Sequence, residues 1–128
     1  MSVAILIVSH SPDVARGTAE MARQMAGEDV AIGWAGGNRD GGLGTNLPAI
    51  LEQLQAIWRP AGVAVLVDVG GAETNSEMAI EELGRAKAGK VRICQAPLVE
   101  GALMAAAEAA SGGDLDAVCR AAEEFLEA

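Results

Sequence analysis

His10, the only histidine of the chain, follows a short apolar run near the N-terminus. Imidazole titrates near neutral pH, so its neutral form is available there as a nucleophile. Asp68 follows a second apolar run in the same way. A carboxylate that binds one ring nitrogen would fix the tautomer and leave the lone pair of the other nitrogen free to attack. This pair could carry a phosphoryl group, because phosphoryl transfer requires mainly positioning and hydrogen-bond donors.

Glycine-rich segments could supply those donors. Residues 35–46 contain five glycines, and the carboxylate of the pair is followed closely by Gly70 and Gly71. Ser11 and Pro12 are typical of a helix start, where a hydroxyl caps the first turn and the missing proline N–H is not needed. Helix N-termini and open glycine backbone favour anions. Ser11, Gly70 and Gly71 are therefore candidate phosphate-binding residues.

The elements that must position these residues alternate between strands and helices. Apolar, β-branched runs predict strands at residues 3–8, 30–34, 63–67 and 91–94. Helical spacing predicts helices at about residues 12–26, 47–58, 75–87, 98–110 and 115–125, the third of them capped by Thr74 or Asn75. The order β-α-β-α-β-α-β-α-α predicts one doubly wound α/β domain over residues 1–128, with a mainly parallel sheet of four or five strands and helices on both faces.

Apolar residues recur at the same spacing within the helices. Those of the second helix, Leu47, Ile50, Leu51, Leu54 and Ile57 or Trp58, are predicted to face inward. The others are Val14, Thr18, Met21, Ala22 and Met25 in the first helix, Met78, Ile80 and Leu83 in the third, and Leu115, Val118, Ala122 and Phe125 in the last. Cys94 and Cys119 belong to no C-x-x-C pair, so we expect reduced core cysteines.

The topology brings the two candidate catalytic residues together. In open parallel sheets, ligands bind beyond the carboxyl ends of the strands, near the point where the strand order reverses. His10 and Asp68 follow the first and third strands, which are neighbours in the usual doubly wound orders. We therefore expect their side chains within hydrogen-bond distance.

Composition excludes several classes of partner. The net charge of −9 argues against nucleic acid, and most of it lies in the second half, as a solvated surface or a docking face for a basic partner. The apolar runs are far shorter than the roughly 20 residues of a membrane span, and the N-terminus has no signal-peptide pattern. These features predict a cytoplasmic protein with no membrane partner.

Other chemistries of such domains fit the sequence less well. The turn after the first strand reads S-H-S-P-D-V, which is neither a G-x-G-x-x-G nucleotide loop nor the acidic pair of a phosphoacceptor receiver. A histidine phosphatase would need an adjacent arginine and a second histidine. A chelatase-like metal site would need more ligands, so we expect no metal and no cofactor.

The chain resembles the phosphotransfer subunits of phosphoenolpyruvate-dependent dihydroxyacetone kinases, which are similar to the mannose-family IIA carriers of the bacterial phosphotransferase system. The resemblance rests on I-V-S-H-S at 7–11, A-R-Q-M at 22–25, G-T at 44–45, D-x-G-x-A at 68–72 and A-P-L-V-E-G at 96–101. These segments span nearly the whole chain, and the last favours the dihydroxyacetone branch.

The resemblance implies that His10 carries the phosphoryl group, that Asp68 orients it, and that Thr45 could hydrogen-bond the imidazole or the phosphate. It further implies that the phosphocarrier HPr phosphorylates the histidine. The phosphoryl group would then pass to ADP on a second subunit, and from ATP to dihydroxyacetone on a third. It also implies a homodimer. The chain departs from the family pattern at Gly71, where serine is frequent, and at Glu73, where an apolar residue is common.

Two alternative functions share this site and differ only in the next partner. One is a mannose-type sugar carrier. The other is a non-catalytic sensor that reports donor phosphorylation to a regulator.

Overall fold

Strands and helices alternate along residues 2–127, the part of the chain that the computed structural model describes. The strands are β1 (Ala4–Ser9), β2 (Ile32–Gly36), β3 (Val63–Val67) and β4 (Val91–Cys94). The helices are α1 (Pro12–Ala26), α2 (Leu47–Ile57), α3 (Ala72–Glu82), α4 (Arg85–Ala88), α5 (Leu98–Ala110) and α6 (Leu115–Glu123), and a 3-10 helix follows over Glu124–Glu127. The predicted α/β fold is confirmed. None of the helices in this part of the chain is long and apolar enough to cross a membrane.

The four strands form one parallel sheet in the order β2-β1-β3-β4. From β1 the chain passes first to β2 on one side and later to β3 on the other, so the strand order reverses between β1 and β3. Ligands of open α/β sheets bind at this point, beyond the carboxyl ends of the strands. The expected pairing of the first and third strands is therefore confirmed.

Every residue of β1 is buried, because helices cover both faces of the sheet. Ile5 and Ile7 join the core formed with α1, α5 and α6. Leu6 and Val8 point to the opposite face and join the core formed with α2 and α3. A strand buried on both sides reads as a continuous apolar run, which is why the sequence predicts it well.

Small side chains line the buried faces of α1, α3 and α5, whereas α2 buries Ile50, Leu54 and Ile57 as predicted. Several large apolar residues that recur at helical spacing lie at the surface. Val14, Met21 and Met25 of α1 are 43%, 48% and 50% exposed, as are Met78 of α3 (48%) and Phe125 of the 3-10 helix (37%). The buried positions of α1 are Ala15, Thr18, Ala19, Ala22 and Ala26, and those of α3 are Ala72, Ser76 and Ala79. Alanine lets helices approach each other and the sheet closely, so the larger side chains lie outside the contact.

The bounds of several elements also differ from the prediction, most clearly those of the second strand and the third helix. The second strand begins at Ile32 and continues into the glycine-rich segment as far as Gly36. The third helix begins at Ala72, with Gly71 as its N-cap in place of the predicted Thr74 or Asn75. It does not reach Lys87, because the chain adopts a φ of +91° at Gly84, a conformation that ends the helix.

Cys94 and Cys119 join β4 to α6 inside the core. Both are buried free thiols, as expected, and their Sγ atoms lie 2.8 Å apart. The hydrogen bond that Cys94 donates to Cys119, together with burial, raises the pKa of the Cys94 thiol. At the surface, Arg92 of β4 binds Asp116 of α6 at 3.2 Å. The guanidinium groups of Arg92 and Arg120 hold the pKa of the Asp116 carboxyl below its ordinary value.

Candidate functional site

His10 and Asp68 meet at the carboxyl ends of two paired strands. His10 follows Ser9, the last residue of β1, and Asp68 follows Val67, the last residue of β3. Val8 and Val67 are partners in the parallel register, so both strands end at the same edge of the sheet. The expectation that the two side chains lie within hydrogen-bond distance is confirmed.

The carboxylate of Asp68 binds the imidazole and the backbone of His10. The Nδ1 atom of His10 lies 2.9 Å from Oδ2 of Asp68. The backbone N–H of His10 donates to the same carboxylate, at 3.1 Å from Oδ1 and 3.3 Å from Oδ2. Because an ionised carboxylate only accepts hydrogen bonds, this contact selects the tautomer with its proton on Nδ1. The lone pair of Nε2 is then free.

Exposure differs between the two side chains. The side chain of His10 is 37% exposed, whereas that of Asp68 is 15% exposed. Part of the ring is therefore open to solvent. The carboxylate is largely shielded from water, which strengthens its interaction with any positive charge on the ring.

Ser9 is a residue of the site that sequence reasoning missed. Its side chain is fully buried, and its hydroxyl donates to Oδ2 of Asp68 at 2.5 Å. Oγ of Ser9 in turn accepts a hydrogen bond from the backbone N–H of Ser11 at 3.0 Å. The sequence did indicate it, because Ser9 is a polar residue at the end of an otherwise apolar buried strand.

The first turn of α1 begins beside His10 as predicted. The hydroxyl of Ser11 caps the helix by accepting from the backbone N–H of Val14 at 3.3 Å, and Pro12 is the first helical residue. The interaction satisfies a backbone donor that a helix start otherwise leaves free. Ser11 is thus at the site, with its side chain engaged in capping.

The glycine-rich segment is an ordered loop built around Asn38. The side-chain oxygen of Asn38 accepts from the backbone N–H groups of Asp40 and Gly42, both at 2.9 Å, and its amide donates to the carbonyl of Leu43 at 3.2 Å. The loop returns to the site at Gly44, whose N–H donates to the carbonyl of His10 at 2.7 Å. The glycines therefore allow the backbone of this loop to lie close to the site.

The N-terminus of α3 also faces the site. Gly70 has a φ of +75°, and a Cβ atom placed on it would lie 3.9 Å from Cβ of His10. Gly71 caps α3 without any side-chain hydrogen bond, in contrast to Ser11 of α1. The first-turn N–H groups of α3 are consequently not bound by a capping side chain, which is the arrangement that suits an anion.

Thr45 lies at this helix start, where Asn75 binds it. The side-chain amide of Asn75 donates to Oγ1 of Thr45 at 2.6 Å. Sequence reasoning treated Asn75 only as a possible cap, and its contact with Thr45 could not be read from the spacing. A Cβ atom on Gly71 would lie 3.2 Å from Oγ1 of Thr45, so the glycine gives this hydroxyl room. The hydroxyl proton of Thr45 remains available as a donor.

No group of three or more histidine, cysteine, aspartate or glutamate side chains within residues 2–127 is arranged to hold a metal ion. The described site offers an imidazole, a carboxylate and nearby backbone and hydroxyl groups.

Comparison with known proteins identifies relatives of the chain. The sequence model of a family described as the PTS system fructose IIA component matches residues 4–119. The phosphoryl donor subunit DhaM of the PEP-dependent dihydroxyacetone kinase of Escherichia coli (strain K12) is 40% identical over 98% of this chain. The match covers 27% of that protein, so the chain spans about a quarter of its length. The phosphoryl donor subunit of the PEP-dependent dihydroxyacetone kinase 2 of Listeria innocua is 37% identical over 83% of this chain and 85% of its own length.

Solved structures share the fold. A crystal structure of a protein of unknown function is similar with a TM-score of 0.85 and 32% identity, and covers 97% of this chain and 95% of its own. The dihydroxyacetone kinase of C. freundii is similar with a TM-score of 0.62 and 19% identity over 24% of that protein, a likeness of fold alone.

Proposed function

This chain belongs to the fructose IIA component family of the phosphotransferase system, and from that premise we propose that it carries a phosphoryl group on His10 as the phosphoryl donor subunit of a PEP-dependent dihydroxyacetone kinase. The observation that carries the proposal is the 2.9 Å contact between Nδ1 of His10 and Oδ2 of Asp68. It leaves Nε2 as the nucleophile.

In the proposed step, the lone pair of Nε2 attacks the phosphorus atom of a phosphorylated donor protein. The new N–P bond forms as the bond between phosphorus and the donor's leaving atom breaks, and the leaving atom keeps the electron pair. Nδ1 retains its proton, so the ring gains positive charge. Asp68 stabilises that charge, because the carboxylate is already hydrogen-bonded to Nδ1.

The phosphoryl oxygens would be bound by the donors next to the ring. Gly70 and Gly71 lead into the N-terminus of α3, where no side chain caps the first-turn N–H groups. Thr45 offers its hydroxyl proton at the same place. This arrangement supports binding of the anion without a metal ion, since backbone donors and a helix N-terminus both favour negative charge.

Two protein partners would use the exposed face of the imidazole in turn. We assign HPr as the donor and an ADP-binding kinase subunit as the acceptor, with a dihydroxyacetone-binding subunit completing a cytoplasmic relay. Leu43 and Val69, which are 69% and 66% exposed, lie next to residues of the site and offer apolar contact area to such partners. We further propose a homodimer.

The similarity to phosphoryl donor subunits of dihydroxyacetone kinases supports this function over a mannose-type sugar carrier. A non-catalytic sensor would use the same residues and would differ only in failing to pass the phosphoryl group to a kinase subunit.

Incubation with phosphoenolpyruvate, its phosphotransferase enzyme and HPr tests the first transfer. We expect one acid-labile, base-stable phosphoryl group on His10, as a phosphoramidate requires, whereas an ester on Ser9 or Ser11 would resist acid. His10→Ala should abolish labelling, because the chain has no second histidine. No labelling of wild-type protein by active donor proteins would overturn the proposal.

Discharge of the labelled protein tests the second transfer. Adding the ADP-bound kinase subunit should remove the label, and adding the dihydroxyacetone-binding subunit should yield dihydroxyacetone phosphate. Stable label in the presence of both subunits would instead support the sugar carrier or the sensor.

A further inference from the structure

Ser9 contacts Asp68 through the same carboxylate oxygen that contacts His10. The Ser9 hydroxyl lies 2.5 Å from Oδ2 of Asp68, and Nδ1 of His10 lies 2.9 Å from that oxygen. Ser9 is fully buried at the end of β1, so its hydroxyl is held by the protein and not by water. One buried hydroxyl therefore shares the acceptor that fixes the imidazole.

The direction of this hydroxyl is determined by its second hydrogen bond. Oγ of Ser9 accepts from the backbone N–H of Ser11 at 3.0 Å. With an acceptor site of the oxygen occupied in this way, the proton is directed at Asp68. The carboxylate is thereby held on one side by Ser9 and on the other by the backbone N–H of His10.

We propose that Ser9 is a positioning residue, whose hydroxyl holds the Asp68 carboxylate in the orientation that keeps the His10 proton on Nδ1. The inference rests on the proposed carrier function, and Ser9 would act through the Asp68 carboxylate and not on the phosphoryl group directly. A carboxylate without this bond could rotate about its terminal torsion, which is a soft degree of freedom. The ring would then lose the partner that selects its reactive tautomer.

Ser9→Ala tests the proposal, with Ser76→Ala as the matched control. Ser76 is also a fully buried serine, and its hydroxyl has no hydrogen-bond partner within the described residues. We expect Ser9→Ala to slow labelling by HPr about 10-fold or more, the size expected for a lost hydrogen bond to a charged group. Ser76→Ala should label at the wild-type rate. Ser9→Thr, which retains the hydroxyl, should restore most of the rate.

Nitrogen NMR of the imidazole gives a readout that does not depend on transfer. Because the chain has a single histidine, its two ring-nitrogen signals are assigned without ambiguity. We expect the proton on Nδ1 in wild type, Ser9→Thr and Ser76→Ala, and a mixture of the two tautomers in Ser9→Ala. Ser9→Cys, with similar volume and a weaker donor, should be intermediate and replaces the alanine variant if that variant does not fold.

The outcomes separate this inference from the proposed function. A wild-type tautomer and labelling rate in Ser9→Ala, with labelling of the wild-type protein established, would overturn the role of Ser9 alone. Equal losses in Ser9→Ala and Ser9→Thr would also overturn it, because they would show that packing and not the hydroxyl matters. Failure of wild-type protein to label would overturn the carrier function, while the tautomer comparison would still decide whether Ser9 orients the carboxylate.

Discussion

Asp68 links three separate parts of the site through one carboxylate. It accepts hydrogen bonds from the Ser9 hydroxyl, from the backbone N–H of His10 and from the imidazole. Its side chain is 15% exposed, so these contacts compete little with water. The negative charge is therefore held next to the ring on which positive charge would develop during transfer.

We expect Asp68→Asn to slow phosphorylation of His10 by roughly 10- to 1,000-fold. The amide oxygen of asparagine can still accept a hydrogen bond, but it carries no charge to stabilise the reacting ring. The fold should survive, because the residue lies beyond the end of β3. The measurement is the rate of label incorporation from HPr, with circular dichroism to verify folding.

Asp114→Asn provides a control with the same change of charge. Asp114 caps α6 by accepting from Ala117 N–H at 2.9 Å, and asparagine caps helices as well as aspartate does. Leu115, the next residue, packs against Gly62, which precedes β3. Asp114 therefore lies near the amino end of β3, whereas Asp68 follows its carboxyl end. A wild-type rate in Asp68→Asn would remove that carboxylate from the mechanism.

The pairing of His10 with Asp68 could be predicted because it follows from strand order alone. Both residues come directly after buried strands, and parallel strands end at the same edge. The role of Ser9 could not be predicted, because it depends on the direction of a hydroxyl that only the folded backbone fixes. The contact of Thr45 with Asn75 depends similarly on where α3 begins, which the sequence placed three residues too late.

At the scale of elements, the end of β2 packs tightly against the start of α1. A Cβ atom on Gly36 would lie 2.8 Å from the carbonyl oxygen of Ser11 and 2.9 Å from Cα of Pro12. Both are backbone atoms of the turn that follows His10. The end of β2 and the helix start can therefore approach each other only if residue 36 has no side chain.

We expect Gly36→Ala to lower the free energy of unfolding by roughly 1–3 kcal/mol, because the backbone of α1 must shift to admit the methyl group. Gly17→Ala is the matched control, since a Cβ at Gly17 meets nothing within 4 Å and the residue lies inside α1. It should raise the free energy of unfolding by about 0.5–1 kcal/mol, as alanine favours helix over glycine.

Urea unfolding of both variants measures these two changes in the free energy of unfolding. No destabilisation by Gly36→Ala would contradict the close packing of residue 36 on α1, and destabilisation by Gly17→Ala would contradict the expectation for an open position inside α1. Gly36→Ala should also slow labelling of His10, because the displaced turn contains Ser11.

The order of elements could be predicted except for the separate short helix α4, whereas the buried faces of several helices could not. Strands of β-branched residues and helix starts such as Ser11-Pro12 are local signals. The face that a helix buries depends on how closely its partner approaches. In α1 that partner is mainly α5, and both helices bury alanines, which leaves Met21 and Met25 at the surface.

At the scale of the whole molecule, the buried Cys94 thiol makes stability depend on pH in the alkaline range, because it donates a hydrogen bond to Cys119. The pKa of Cys94 is raised in the folded state, so the native protein holds this proton more tightly than the unfolded chain does. The resulting stabilisation is fully present below the pKa of an unfolded thiol, about 8.5, and is lost as the pH rises above it.

We expect the free energy of unfolding to fall by about 1.4 kcal/mol for each pH unit above roughly 9, the slope for one proton. In the double variant Cys94→Ala, Cys119→Ala, the free energy of unfolding should fall less steeply with pH. The chain has no tyrosine, which removes one other group that titrates in this range. Parallel slopes in urea unfolding of the two proteins between pH 8 and 10 would contradict the prediction.

The position of β1 within the sheet fixes the geometry of the site at the moment the chain folds. Both of its neighbours are strands, and all of its side chains are buried between helices, so the residue that follows it cannot shift without disturbing the core. The conformational entropy lost in arranging His10 and Asp68 is therefore lost once, when the chain folds. In the proposed carrier function, each phosphoryl group would meet a geometry already in place, and repeated loading and unloading would require no rearrangement of this part of the backbone.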